Sequence, residues 1–187
     1  MTIACLGWGS LIWDPRELPI RGIWFPDGPL LPIEFARESD DGRMTLVLVP
    51  ETAPLVRSLW TLLSVGDLGL AREALRRREC VLSKNAEVQI GHWERGQAGE
   101  RVDAARRIER WGVSLDLDAV IWTNLSPKFH EQDGVPSSEE VVGHLNGLAH
   151  EKRKNAERYI RMAPRQIDTN YRRAIERELG WTPLSEM

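Results

Sequence analysis

The chain has 187 residues, 42% hydrophobic and 28% charged, with a formal net charge of −3. That is enough chain for one domain with a sizeable core, and the slightly acidic balance argues against a nucleic-acid binder. No apolar run is long enough to span a bilayer, and the start lacks a basic segment followed by an apolar stretch and a cleavage site. Cys5 and Cys80 form no Cys-x-x-Cys pair, which fits a reducing, cytoplasmic setting. The eight tryptophans call for burial plus a partner for each indole N–H, so core packing accounts for most of them and a pocket wall for a minority.

In chain order, Thr2 to Leu6 predicts a buried strand that ends at a glycine turn. Pro15, Pro19, Pro26, Pro29 and Pro32 then predict loops and short edge pieces rather than helix. Ile33 to Arg37 alternates as a strand, Asp40-Asp41-Gly42-Arg43 is a hairpin turn, and Met44 to Val49 is the return strand, stopped by Pro50. Arg57 to Leu63 predicts a further strand. Asp67 to Arg78 predicts a helix with Leu68, Ala71 and Leu75 on one stripe, capped by Ser64, Gly66 or Asp67. Cys80 to Leu82, Ala86 to Trp93 and Ala119 to Thr123 predict strands, with a loop from Gly96 to Arg101 and a charged helix from Val102 to Trp111. Ser137-Ser138-Glu139-Glu140 is a capping box ahead of a helix from Val141 to Ala149. Further helices run from about Lys154 to Met162, stopping at Pro164, and from about Thr169 to Leu179, ending at Gly180. Strands first and helices last predict an α+β class in a single domain over 1–187, with the helices of 137–180 packed on the rest.

Cys5-Leu6-Gly7-Trp8-Gly9-Ser10-Leu11 runs from a strand into a Gly-x-Gly-Ser turn. Such a turn can gather successive backbone N–H groups into a concavity suited to a carboxylate or phosphate, or it can be a tight turn with no ligand. Gly7-Trp8-Gly9-Ser10-Leu11-Ile12-Trp13-Asp14-Pro15 resembles the Tyr-Gly-Ser-Leu-Ile-Trp-Asn-Pro signature of the ChaC-type γ-glutamylcyclotransferases, and the Tyr-Gly-Ser-Asn signature of the wider family. The resemblance implies that Trp8, Gly9, Ser10 and Leu11 bind the α-carboxylate end of a γ-glutamyl group. Trp8 replaces a tyrosine, keeping an aromatic wall and losing a phenol hydroxyl. The resemblance also implies a small, mostly antiparallel β-barrel or curled sheet surrounded by helices.

Glu79 lies four residues after Leu75 and continues the helix stripe, at the point where helix gives way to the next segment. Burial raises a carboxyl pKa unless a cation pairs with it, and a raised pKa suits proton transfer near neutrality. The neighbouring Arg76, Arg77 and Arg78 offer the competing role, a surface ion pair. Leu75-Arg76-Arg77-Arg78-Glu79 resembles the family segment in which an Arg-Glu or Gln-Glu pair ends the first major helix, and the resemblance implies that Glu79 is the catalytic acid/base. Thr45 to Pro50 is similar to a family strand, and Arg37 stands near a family arginine. Arg37 suits a substrate carboxylate or a structural ion pair with Glu34 or Glu38, and Ser39 suits a substrate or, more simply, the start of the turn. The resemblance thins after Glu79: Val81 to Gln89 contains no tyrosine, Tyr159 and Tyr171 are the chain's two, and Gly96 to Ser114 departs from the family.

The resemblance therefore implies an enzyme that releases 5-oxoproline from a γ-glutamyl amine or peptide, with no metal or organic cofactor. Its partner is a small-molecule γ-glutamyl substrate, not nucleic acid or a membrane, and a homodimer stays open. Two alternatives remain: a small-ligand-binding or regulatory protein on the same fold without turnover, and an interaction protein working through its C-terminal helices. Residues 151–173 hold eight Lys/Arg against three acids, a pattern usual for a solvated helix face. His92, His130, His144 and His150 have no metal-ligand spacing along the chain, no Gly-x-Ser-x-Gly elbow accompanies Ser10, and Pro15 breaks any helix that a dinucleotide-binding turn would need.

Overall fold

The structure is a computed structural model and describes residues 1–49, 53–97 and 103–184. Pro50, residues 98–101 of the expected loop and Val102 lie outside the described residues. The strands in chain order are β1 (Ile3–Gly7), β2 (Ile20–Phe25), β3 (Leu30–Glu38), β4 (Met44–Leu48), β5 (Leu55–Arg57), β6 (Leu59–Leu63), β7 (Ile90–Glu94), β8 (Ala119–Thr123), β9 (Lys128–Phe129) and β10 (Gln132–Asp133). The α-helices are α1 (Leu68–Arg78), α2 (Ala86–Gln89), α3 (Asp103–Ser114), α4 (Ser138–Gly147), α5 (His150–Met162) and α6 (Asn170–Leu179). They form two compact units that interleave along the chain: Met1–Gly7, Asp14–Leu31 and Arg57–Leu125 in the first, Trp8–Trp13, Pro32–Val56 and Ser126–Met187 in the second.

The first unit is built on β1, whose five residues are all buried. A strand with no polar face needs neighbours on both edges and cover on both faces. β1 pairs antiparallel with β6, Ala4 opposite Leu62, and parallel with β8, Ala4 opposite Val120. The sheet order is β2-β6-β1-β8-β7. α1 and α3 pack against β7 and β8. α1 starts at Asp67, whose side chain accepts the Leu70 N–H at 2.8 Å.

The second unit is built on the β3–β4 hairpin, closed by Ser39 N–H to the Arg43 carbonyl at 2.9 Å and turned at Gly42, φ +83°. β9 joins β3 in parallel, β10 pairs with β9, and β5 also pairs with β3. α4 packs on both α5 and α6, and α5 packs on β4. The expected capping box is present: Ser137 Oγ accepts the Glu140 N–H at 3.2 Å, and Glu140 accepts the Ser137 N–H at 2.7 Å. Thr169 caps α6, and Arg172, only 2% exposed, donates to the carbonyls of Ile160, Ala163 and Pro164 at 2.9, 2.8 and 2.7 Å. Arg172 thus binds carbonyls at and just past the end of α5, and is not part of a solvated basic face.

The α+β class stands, with several corrections of detail. The described strands form two open mixed sheets, not a closed barrel, because each sheet ends on strands that find no second partner among the described residues. Cys80 to Leu82 is not a strand. The Val81 and Cys80 N–H groups return to the Arg76 and Arg77 carbonyls at 3.0 and 3.1 Å, and Cys80 takes φ +55°. This is the Schellman closure of α1, with cysteine where glycine is usual. Ala86–Gln89 is a helical turn, and the strand begins only at Ile90. Arg57 to Leu63 is divided at Ser58, whose N–H and hydroxyl both donate to the Pro29 carbonyl, at 3.1 and 2.8 Å. No helix among the described residues is long and apolar enough to cross a membrane.

Candidate functional site

The glycine turn belongs to the second unit. Ile12 N–H closes it on the Gly9 carbonyl at 3.0 Å. Trp8 is 5% exposed, and its indole N–H donates to the Leu46 carbonyl at 3.2 Å, so this side chain anchors the turn to β4. Leu11 is buried and Ser10 half-buried. Gly9 is required by close approach: a Cβ there would stand 2.5 Å from the Tyr159 hydroxyl and 3.9 Å from the Leu46 Cβ. The Tyr159 hydroxyl in turn accepts the Leu46 N–H at 3.3 Å. Its ring meets Trp13 edge-on, centroids 5.5 Å apart, and lies under the Arg43 guanidinium at 5.4 Å.

Tyr159 therefore brings a phenol hydroxyl to this turn from α5, although Trp8 has none and no tyrosine follows Glu79 closely. No linear signal marks it, since 150 residues separate it from Gly9.

Glu79 belongs to the first unit, at the C-terminal cap of α1. Its side chain is 15% exposed and its Oε1 accepts from Arg78 Nη1 at 2.9 Å. The expected ion pair with a neighbouring arginine is present, but it is largely buried and selects Arg78. The rest of the Arg78 guanidinium, 5% exposed, donates from Nε and Nη2 to the Asp14 carbonyl at 3.1 and 2.7 Å. Arg16 donates to the Arg78 carbonyl at 3.3 Å and pairs with Asp14 at 3.2 Å. Cys5 lies nearby on β1: burial pushes its thiol pKa far up, and the negative charge of Glu79 adds to the shift.

Among the other candidates, Arg37 is half-buried on β3 and donates to the Ser126 carbonyl at 2.7 Å. That backbone contact replaces the expected pairing with Glu34 or Glu38. Ser39 serves the turn, donating to Asp41 Oδ1 at 2.6 Å. Glu34 is 2% exposed and accepts the Thr169 hydroxyl, the Phe35 N–H at 2.9 Å and the Tyr171 N–H at 3.3 Å. Burial pushes its carboxyl pKa above the usual range, against those hydrogen bonds. His130 and His144, unremarkable by spacing, meet at Glu38.

No family model matches this sequence, and no curated protein matches it.

Proposed function

We propose that this chain is a γ-glutamylcyclotransferase-like enzyme, which cleaves a γ-glutamyl amide by cyclisation and releases 5-oxoproline. The substrate's α-carboxylate would take the N–H groups of the Gly9-Ser10-Leu11 turn, walled by Trp8, with Arg37 in reserve for the same charge. The free α-amine would attack the γ-carbonyl carbon of its own glutamyl group, forming the ring C–N bond as the amide C–N bond breaks. Glu79 would take the proton from the attacking amine and return one to the departing nitrogen. Positioning supplies much of the rate in such an intramolecular attack, and N–H donors steady the oxyanion that develops.

The observation that supports this reading is the Arg78 guanidinium. It holds Glu79 Oε1 at 2.9 Å and the Asp14 carbonyl at 2.7 Å, so the carboxylate is oriented by a largely buried, charge-assisted hydrogen bond within the first unit. In this reading Arg78 orients the carboxylate through Oε1, and Oε2 would exchange the proton. A second reading, a binding module without turnover, is favoured by Trp8, whose N–H is spent on Leu46. Incubation with glutathione, a γ-glutamylamine and a γ-glutamyl-amino acid separates the two. The enzyme releases 5-oxoproline from at least one of them. The binding module is stabilised against heat by such a compound and leaves it intact.

A further inference from the structure

His130, His144 and Glu38 come from three separate elements of the second unit. Glu38 ends β3, His130 sits in the turn between β9 and β10, and His144 lies on α4. Their ligand atoms all lie within 4.8 Å of one another. Glu38 Oε2 stands 3.4 Å from His130 Nδ1, and Glu38 Oε1 stands 3.8 Å from His144 Nε2. We propose that these three side chains form a binding site for a divalent first-row transition ion of the zinc class.

Three features favour an ion over a plain hydrogen-bonded cluster. First, ligands about 2.0–2.2 Å from a tetrahedral ion are about 3.3–3.5 Å apart, so the Glu38–His130 edge already has the needed span. The His130–His144 edge closes with a small shift of His130, whose side chain is 64% exposed, and the Glu38–His144 edge, now 3.8 Å, with a small turn of the Glu38 carboxylate. Second, no lysine or arginine among the described residues pairs with Glu38. A half-buried carboxylate is faced by two imidazoles, a residue type whose ring nitrogens are common ligands of such ions. Third, His130 is presented from a tight two-residue turn whose backbone form is costly for its residue types. His130 and Glu131 both have positive φ, 48° and 62°, the two-residue hairpin geometry that asparagine and glycine favour.

The surroundings complete the site. His130 N–H donates to Glu38 Oε2 at 2.9 Å, fixing that carboxylate oxygen. Phe129 covers both rings, its centroid 3.9 Å from that of His130 and 5.6 Å from that of His144. Lys128 is paired with Glu131 at 2.8 Å and Glu140 with its capping box, so neither competes for the ligands. His144 Nε2 also faces the Gly42 carbonyl at 2.8 Å, a contact that ion binding would replace. Two imidazole nitrogens and one carboxylate suit zinc, cobalt, manganese or iron(II), not the all-oxygen demand of magnesium or calcium. Three protein ligands leave a coordination position for water or a small ligand.

Cobalt(II) titration of chelator-stripped protein, read by calorimetry and by the visible absorption of tetrahedral cobalt, tests the site without reference to turnover. The native chain takes one ion. Glu38→Gln and His130→Ala each weaken binding at least about tenfold, as loss of a ligand must. His150→Ala, altering an exposed histidine outside the cluster, leaves binding unchanged. His130 is mostly exposed, so this variant remains informative even if His144→Ala disturbs α4. Absence of stoichiometric binding by the native chain, or His130→Ala binding as tightly as native, would overturn the proposal.

Discussion

Gly9→Ala puts a methyl group 2.5 Å from the Tyr159 hydroxyl, about 1 Å inside an ordinary carbon–oxygen contact. The oxygen has little room to yield, because it accepts the Leu46 N–H at 3.3 Å and its ring is held by Trp13 and Arg43. Overpacking of this kind costs about 1–3 kcal/mol, and pushing the hydroxyl away orphans a buried N–H for about 1–3 kcal/mol more. The two overlap, so Gly9→Ala should cost about 2–4 kcal/mol. Tyr159→Phe removes the clashing oxygen, and the nearest ring atom then lies 3.6 Å from the new methyl, an ordinary contact. Tyr159→Phe alone should therefore cost about 1–3 kcal/mol for the lost Leu46 partner, and the double variant little more than that. Urea unfolding followed by tryptophan fluorescence gives the cycle. A coupling of about 2 kcal/mol is expected, whereas costs additive to within about 0.5 kcal/mol would refute the close approach.

Cys80→Gly relieves a left-handed backbone at the end of α1 and should stabilise the fold by about 0.5–1 kcal/mol, after the entropy of the freer unfolded chain is subtracted; an unchanged or lower melting temperature contradicts this. A thiol reagent should modify exposed Cys80 quickly and buried Cys5 only on unfolding, so two fast thiols would contradict the burial of β1. The Ser137 backbone N–H holds the Glu140 carboxyl below its ordinary value of 4.5. Because the folded pKa is lowered, the stability that Glu140 adds is present above about pH 4.5 and is lost as the pH falls through the folded value. The gap in unfolding free energy between native and Glu140→Ala should then be flat at neutral pH and shrink in acid; a gap independent of pH contradicts the charged cap.

Local chemistry was legible in the sequence. Asp67 and the Ser137/Glu140 box act through neighbours a turn away, the 40–43 turn through its own residues, and α6 stops at Gly180. Two local signals misled. Cys80 follows a helix and precedes apolar residues, yet closure of α1 governs its backbone. Ala86–Gln89 coils into a helical turn and leaves Val88 69% exposed, without the burial a strand would need. What remained hidden is non-local. The parallel pairing of β1 with β8, Tyr159 against Gly9, and His130 and His144 against Glu38 join residues whose spacing carries no period. The same holds for Arg172, which reads as one more charge in a basic stretch and is buried at the end of α5.

Glu79→Gln removes the proposed acid/base and little else. The side chain keeps its shape and an oxygen for Arg78 Nη1, so the variant should melt near the native temperature and still be stabilised by the γ-glutamyl compound that the native chain consumes. The native chain should release 5-oxoproline and the variant should lose at least about 100-fold, the scale of removing a positioned acid/base. A folded Glu79→Gln chain that releases 5-oxoproline at the native rate would contradict that role.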